Sequence, residues 1–356
     1  MALPLASRKL ASSLPLRYGG RFLSDLFGAF GRVSLLLRQA ASTPAALPAF
    51  GLHAIFGTPL AVIPSKALLL SEMKAIVHLT DFSAAAQNAY AYALAVSRHL
   101  GAELHIVHIY DRPYASIAYQ GGLSAVIDAA MDQRIRDELR KHLEQYAASH
   151  PAEGVKVHLH LWGDLPVWRP DQYIDKIAGA GLIVMGTQGA TSLWHGGLFG
   201  TNTARLIRHS PLPVLAIHPG NAYRPYQKVL LPVDIFDEQT PHGVRQALDF
   251  LRPWNPPQVT LLVVNTPYVF YDTPSIEKFL QELKSQVPLE GVLLRVYNDI
   301  SVEEGLRQAM ESEKADLLVM GTHARKGLSQ FLFGSITENV AQYLAYPLLA
   351  FPLQSK

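Results

Sequence analysis

The chain of 356 residues contains no cysteine, so it has no disulfide bond, no thiolate ligand for a metal and no thiol nucleophile. It also lacks the Gly-x-x-x-x-Gly-Lys-Ser/Thr loop of P-loop hydrolases and the Gly-x-Ser-x-Gly elbow of serine hydrolases. We therefore assign no catalytic residue and expect a protein without substantial catalysis. A cysteine-free chain also suits the reducing cytoplasm, where we expect this protein to act.

Acidic residues are nearly missing from the first 71 positions, which hold Asp25 alone against seven lysines and arginines, a net charge of +6. Since the whole chain carries +2, the remainder carries −4, which argues against general nucleic-acid binding. Prolines between Pro44 and Pro64 make a membrane-spanning helix a poor interpretation, and we expect no membrane partner. A transit peptide, a membrane-associated segment and a misassigned start remain open for residues 1–72, which we expect to be a poorly structured leader.

The rest of the chain contains an internal repeat. It is clearest where GLIVMGT, from Gly181, is followed later in the chain by the similar DLLVMGT, from Asp316. Apolar, strand-like runs alternate with segments of helical periodicity, which indicates a parallel sheet with helices on both faces. We expect helices to begin after Ser83, at Pro166 and after Gly334, among others. The predicted strands are 75–79, 103–110, 155–162, 181–185 and 213–217, then 228–233, 259–265, 292–297, 317–320 and 348–351.

The spacing within the two copies also agrees. Gly186 precedes Gly200 by 14 positions and Gly321 precedes Gly334 by 13, and each later glycine lies 13 positions before a closing proline. The sequence therefore predicts two α/β domains, at 73–219 and 226–354, each a doubly wound five-stranded parallel sheet in the order 3-2-1-4-5.

Ligands of open parallel sheets bind beyond the carboxyl ends of the strands. In both copies an aspartate follows the first strand, a glycine ends the fourth, and a glycine with a hydroxyl residue precedes the next helix. A carboxylate can bind ribose hydroxyls, glycines admit a close ligand, and helix amino ends attract phosphate. Turns and helix caps are the alternative explanation of the same residues, and local chemistry alone favours it. The residues are Asp81, Gly186, Gly200 and Thr201, and Asp234, Gly321, Gly334 and Ser335.

With TDFS and LPVD after first strands, VMGT in both copies and the closing HSPLPVLAI and AYPLLAF, residues 73–354 resemble a tandem universal stress protein. The resemblance implies domains that pair through their last strands as an intramolecular pseudo-dimer, and it leaves a homodimer open. It implies a stress-response role and binding of ATP or another adenine nucleotide with Mg²⁺. The nucleotide-binding members carry Gly-x-x-Gly, nine residues, then Gly-Ser or Gly-Thr, which adds Gly189 to the residues above.

Both copies depart from that pattern. Ten residues, 190–199, separate Gly189 from Gly200, whereas the second copy keeps nine but has Ala324 in place of the second glycine. A β-carbon there would crowd a phosphate, so we favour the first pocket. A slow ATPase or nucleotidyl-handling enzyme, and a scaffold without nucleotide, remain as alternatives.

Two histidines, His158 and His160, alternate in a predicted strand and so share a face. They could bind a metal ion, but neither a carboxylate nor a third histidine lies close to them in the sequence. We therefore expect no metal site of the protein's own.

Overall fold

The structure is a computed structural model that describes residues 73–110, 122–163, 165–187, 201–323 and 345–353. Residues 122–130, 201 and 323 are described by their secondary structure alone. The predicted leader, residues 1–72, and the predicted helix after Gly334 lie outside the described residues. Within the described ranges, every helix is too short or too polar to cross a lipid bilayer.

The first half of the described chain alternates strands and helices as predicted. Its elements are β1 (Ala75–Leu79), α1 (Ala84–Leu100), β2 (Glu103–Tyr110), α2 (Gly122–Ala148), β3 (Val157–Gly163), β4 (Ala180–Gly186), α3 (Thr201–His209) and β5 (Val214–Ile217).

The second half repeats this alternation. Its elements are β6 (Lys228–Pro232), α4 (Thr240–Leu251), β7 (Gln258–Asn265), α5 (Thr273–Gln286), β8 (Val292–Asn298), α6 (Val302–Glu313), β9 (Leu317–His323) and β10 (Leu348–Leu353).

The described strands form one sheet in the order β3-β2-β1-β4-β5-β10-β9-β6-β7-β8. Each half is parallel and has the predicted order 3-2-1-4-5, so the prediction of the fold class is confirmed. The halves are joined edge to edge because β5 and β10 pair antiparallel, with Leu215 opposite Leu349. The expected pairing of the two domains through their last strands is therefore present within one chain.

The sequence starts several helices with a side chain that accepts a hydrogen bond from a free backbone N–H. The hydroxyl of Ser83 accepts from the N–H of Ala86 at 3.2 Å, as predicted. The carboxylate of Asp272 accepts from Ser275, 2.8 Å away, at the start of α5. Local sequence thus fixes where these helices begin.

Apolar side chains alternate along the strands and give the sheet two buried faces. One face, with Ile76 and Val229, packs against α1, α2, α4 and α5. The other, with Val77 and Leu318, packs against α3, α6 and the turns before β4. Since α1 to α6 cover both faces, the described part of the sheet is open at its ends and at its two outer strands, β3 and β8.

The expectation of a helix beginning at Pro166 is wrong. The segment between β3 and β4 holds two short 3₁₀ turns, Pro170–Gln172 and Ile174–Lys176. Pro170 has no N–H to donate to the carbonyl of residue 166, and its ring clashes there. The segment is instead held by burial, since Tyr173 and Ile174 are both part of the apolar core.

Candidate functional site

The turn from β1 into α1 fixes the position of Asp81. Its Oδ1 accepts a hydrogen bond from the N–H of Ser83 at 3.0 Å. Between them Phe82 has φ of 62°, a left-handed conformation that costs energy for a side chain of this size. The N–H of Phe82 donates to the hydroxyl of Thr80, and its ring packs against His108 at 4.2 Å between centroids. The turn therefore holds Asp81 at the carboxyl end of β1 while Phe82 faces the core.

A cavity of about 80 Å³ lies at the carboxyl ends of β1, β2 and β4. Strand order reverses between β1 and β4, so the cavity lies where open α/β sheets bind ligands. Asp81 and Gly186 both line it, so the structure brings these two predicted residues together. The remaining lining residues are Leu79, Thr80, Ser83, Ala86, Val107, Ile109, Val167, Met185, Asn202 and Thr203.

Gly186 has a packing requirement of its own. A β-carbon at this position would lie 2.7 Å from both the carbonyl carbon and the oxygen of Ala85, in the first turn of α1. These are backbone atoms, so they can make room only if the helix shifts. The glycine is therefore needed for the close approach of β4 to α1, whatever the cavity binds.

The amino end of α3 closes one side of the cavity. Thr201 is the first residue of this helix, whereas the sequence placed Thr201 just before a helix that begins at Thr203. Thr203, which the sequence analysis did not single out, donates from its hydroxyl to the carbonyl of Gly186 at 3.1 Å. This bond ties the start of α3 to the end of β4. The only signal for Thr203 in the sequence was that it is a hydroxyl residue two positions after Thr201 of the predicted Gly-Thr pair.

The equivalent site in the second half brings Asp234 and Gly321 together around a cavity of about 30 Å³. The carboxylate of Asp234 accepts from the N–H of Phe236 at 2.9 Å and from the hydroxyl of Tyr271 at 3.1 Å. Burial, and then this carboxylate, raise the pKa of Tyr271, so the phenol keeps its proton and continues to donate.

The side chain of Leu353 also lines this second cavity. It lies beside both Gly321 and Gly243, where β-carbons would be 3.0 Å and 2.9 Å from its atoms. β10 continues past the predicted end of the strand and pairs with β9 as far as His323, opposite Leu353. The prediction of a strand ending at Phe351 missed this side chain, which fills space near Gly321.

Four predicted site residues, Gly189, Gly200, Gly334 and Ser335, lie outside the described residues. The same holds for the loop 190–199 and for Ala324. Their assignment to a nucleotide site stays a prediction.

Two buried histidines lie behind the first cavity, on the face of the sheet that α1 and α2 cover. His78 is fully buried, with Nδ1 3.1 Å from the carbonyl oxygen of Val184 and Nε2 2.9 Å from the hydroxyl of Tyr146. Burial lowers its pKa to about 4, so it is neutral near pH 7. Nδ1 of the second, His108, lies 2.8 Å from the carbonyl oxygen of Thr80. Burial also lowers the pKa of His108, so both rings act as neutral hydrogen-bonding groups behind the β1 turn.

Comparison with known proteins gives the same family for both halves. The universal stress protein family model matches residues 72–218 and 225–352. Universal stress protein Rv2623 of Mycobacterium tuberculosis is 27% identical over 234 residues, covering 60% of this chain and 73% of the relative. Universal stress protein Slr1230 of Synechocystis is 25% identical over 299 residues, covering 78% of this chain and 100% of the relative.

A solved universal stress protein from Archaeoglobus fulgidus aligns with 79% of this chain and 99% of its own, with a TM-score of 0.55 and 18% identity. At that identity the likeness shows the fold. The two family-model matches together span more than half of the sequence. The chain therefore belongs to the universal stress protein family and carries two of its domains in tandem.

Proposed function

We propose that the first domain binds an adenine nucleotide at the cavity beside Asp81 and that this binding serves a regulatory role in a stress response. The observation that carries the proposal is the position of the cavity, between the carboxyl ends of β1 and β4 where the strand order reverses. Its wall combines a carboxylate with apolar side chains from β2 and β4, which suits a ribose and a base. The family resemblance supports the choice of ligand.

The second domain is the weaker candidate. Its cavity of about 30 Å³ is smaller than the 80 Å³ of the first, and Leu353 lines it near Gly321. The hydroxyl of Tyr271 already donates to the carboxylate of Asp234. The N–H of Phe236 donates to the same carboxylate oxygen, so a ribose would share Asp234 with two groups of the protein. These contacts favour one nucleotide per chain, in the first domain.

Calorimetric titration with ATP, ADP and AMP, with and without Mg²⁺, tests the proposal. We expect one site per chain, which Asp81→Ala weakens at least tenfold because the carboxylate at the end of β1 is lost. The matched variant Asp234→Ala should leave the affinity unchanged. Circular dichroism of both variants serves as the control for folding.

Two results would contradict this assignment. If Asp234→Ala weakens binding and Asp81→Ala does not, the nucleotide binds in the second domain. If the wild-type protein releases no nucleotide on denaturation and gives no heat with millimolar ATP, ADP or AMP, the protein is a scaffold that binds no adenine nucleotide.

A further inference from the structure

Three histidines and a glutamate meet on the outer two strands of the first domain. His105 of β2 lies directly opposite His158 of β3 in the parallel register, and their rings stack with centroids 4.4 Å apart. Glu103 begins β2, and its Oε2 lies 2.8 Å from Nε2 of His158 and 3.9 Å from Nε2 of His105. His160 lies two residues further along β3. No metal site was expected from the sequence because His158 and Glu103 are 55 positions apart in the chain, but strand pairing brings them together.

We propose that Glu103, His105 and His158 bind one divalent transition-metal ion of the zinc type. One ligand atom from each residue lies within 4.8 Å of the other two. Tetrahedral zinc with bonds of about 2.0–2.1 Å needs ligand atoms about 3.3 Å apart. The side chains therefore reach this geometry by small rotations, without movement of the strands. Imidazole nitrogens with one carboxylate oxygen are a donor set that suits zinc, copper and nickel.

The surrounding contacts orient the ligands. Nδ1 of His105 lies 2.9 Å from Nε2 of His160. When His105 donates this hydrogen bond, its Nε2 carries the lone pair and points toward Glu103 and His158. Metal-binding histidines are commonly held in this way by a hydrogen bond from the second ring nitrogen. His160 is thus a positioning residue for the metal ligand His105.

The exposure of the ligands also suits an ion from solution. The side chains of His158 and Glu103 are 33% and 43% exposed, whereas His105 is 12% exposed. Lys156 pairs with Oε1 of Glu103 at 3.0 Å, which leaves Oε2 directed toward the histidines. Three protein ligands leave the fourth position of a tetrahedral ion open to water or a small anion.

The fold itself does not require this cluster. The strand register of the second domain places Gln258, Thr260, Leu293 and Arg295 at the positions of Glu103, His105, His158 and His160. The same outer strands pair there without a histidine. None of the three proposed ligands is among the residues that line the nucleotide cavity, so this inference does not depend on the proposed function.

Titration of the untagged full chain with Zn²⁺ by calorimetry, and with Co²⁺ by visible absorption, tests the site. We expect one ion per chain and the intense absorption of tetrahedral Co²⁺. His105→Gln and His158→Gln should each weaken binding about 100-fold or more, and His160→Gln about 10–100-fold through the lost orienting bond. The control His99→Gln changes an exposed histidine of α1 whose Nε2 lies 3.2 Å from the carbonyl oxygen of Pro253, and should leave binding unchanged.

The melting temperature of each variant without metal controls for folding. Because Zn²⁺ binds the folded chain, it should raise the melting temperature of the wild type and not that of His158→Gln. Glu103→Gln keeps the shape of the side chain and provides a further variant that should bind more weakly. The proposal is overturned if the wild type binds neither ion at millimolar concentration, or if it binds them equally well without His105 and His158.

Discussion

At the scale of single residues, Gly186 has two possible reasons to be glycine: a ligand close to its backbone and the close packing of β4 against α1. The sequence indicated a glycine that lets a ligand approach the backbone. The structure adds that a β-carbon there would lie 2.7 Å from the backbone of Ala85. Gly321, the equivalent residue, faces a different neighbour, since a β-carbon there would lie 3.0–3.1 Å from side-chain atoms of Leu353. The same substitution should therefore have different costs in the two domains.

We expect Gly186→Ala to lower the free energy of unfolding by about 1–3 kcal/mol, the usual cost of overpacking. Gly321→Ala should cost less because the end of the Leu353 side chain can rotate away, whereas the helix backbone at Ala85 cannot. Urea denaturation of both variants measures the difference. Equal stability of Gly186→Ala and the wild type, or a larger loss in Gly321→Ala, would show that the contact with α1 is not tight.

His78 links one buried ring to the pH dependence of stability. Its pKa of about 4 in the folded protein lies below the ordinary value of 6.5. Between these values the unfolded chain takes up a proton that the folded protein does not, so the free energy of unfolding falls as the pH falls from about 6.5 to about 4. Above pH 6.5 the ring is neutral in both states, so His78 no longer makes the free energy of unfolding depend on pH.

His78→Leu introduces the residue that the second domain has at the equivalent position, Leu231, and removes this titration. We expect the loss of stability between pH 7 and pH 5 to be about 2 kcal/mol smaller in the variant than in the wild type. The variant's stability at pH 7 can itself be lower, since Tyr146 and Val184 lose a partner. Urea titrations at the two pH values give the comparison, with His99→Gln as a matched control. An unchanged difference between pH 7 and pH 5 would contradict the assignment.

At the scale of elements, hydrophobic periodicity was sufficient to predict the described strands and most helices, because buried parallel strands are continuous apolar runs. It failed at Pro166, where helical spacing of apolar residues was present but Pro170 prevents a continuous helix. It also ended β10 too early, since pairing with β9 rather than local composition carries that strand to Leu353. Val107 reaches the cavity because it pairs with Leu79 of β1, and His105 meets His158 because β2 pairs with β3, so both depend on strand register between distant parts of the chain. No local pattern in the sequence specifies such contacts.

At the scale of the whole molecule, the described core begins with contacts made by residues 73 and 74. The N–H of Lys74 donates to the carbonyl of Gly179 at 3.1 Å. Met73 packs over Gly181, where a β-carbon would lie 2.6 Å from its side chain. Residues 1–72 have no periodic apolar face in the sequence that could extend this core.

We therefore expect a chain that begins at Met73 to keep the melting temperature of the full chain within a few degrees. Differential scanning calorimetry of the two proteins provides the measurement. A chain that begins at Ala75 is the matched comparison and should be less stable, because it lacks the contacts of Met73 and Lys74. A large drop in melting temperature on removal of residues 1–72 would show that the leader contributes to the fold.

The antiparallel pairing of β5 with β10 within one chain also affects how the two domains can evolve. Two separate copies of such a domain would have to meet by diffusion, and identical copies would carry every substitution twice. Here the partner is always attached, so pairing does not weaken on dilution. Each half is then free to change alone. The leucine near Gly321 and the histidines of β2 and β3 each occur in one half only, a combination that a pair of identical chains could never present.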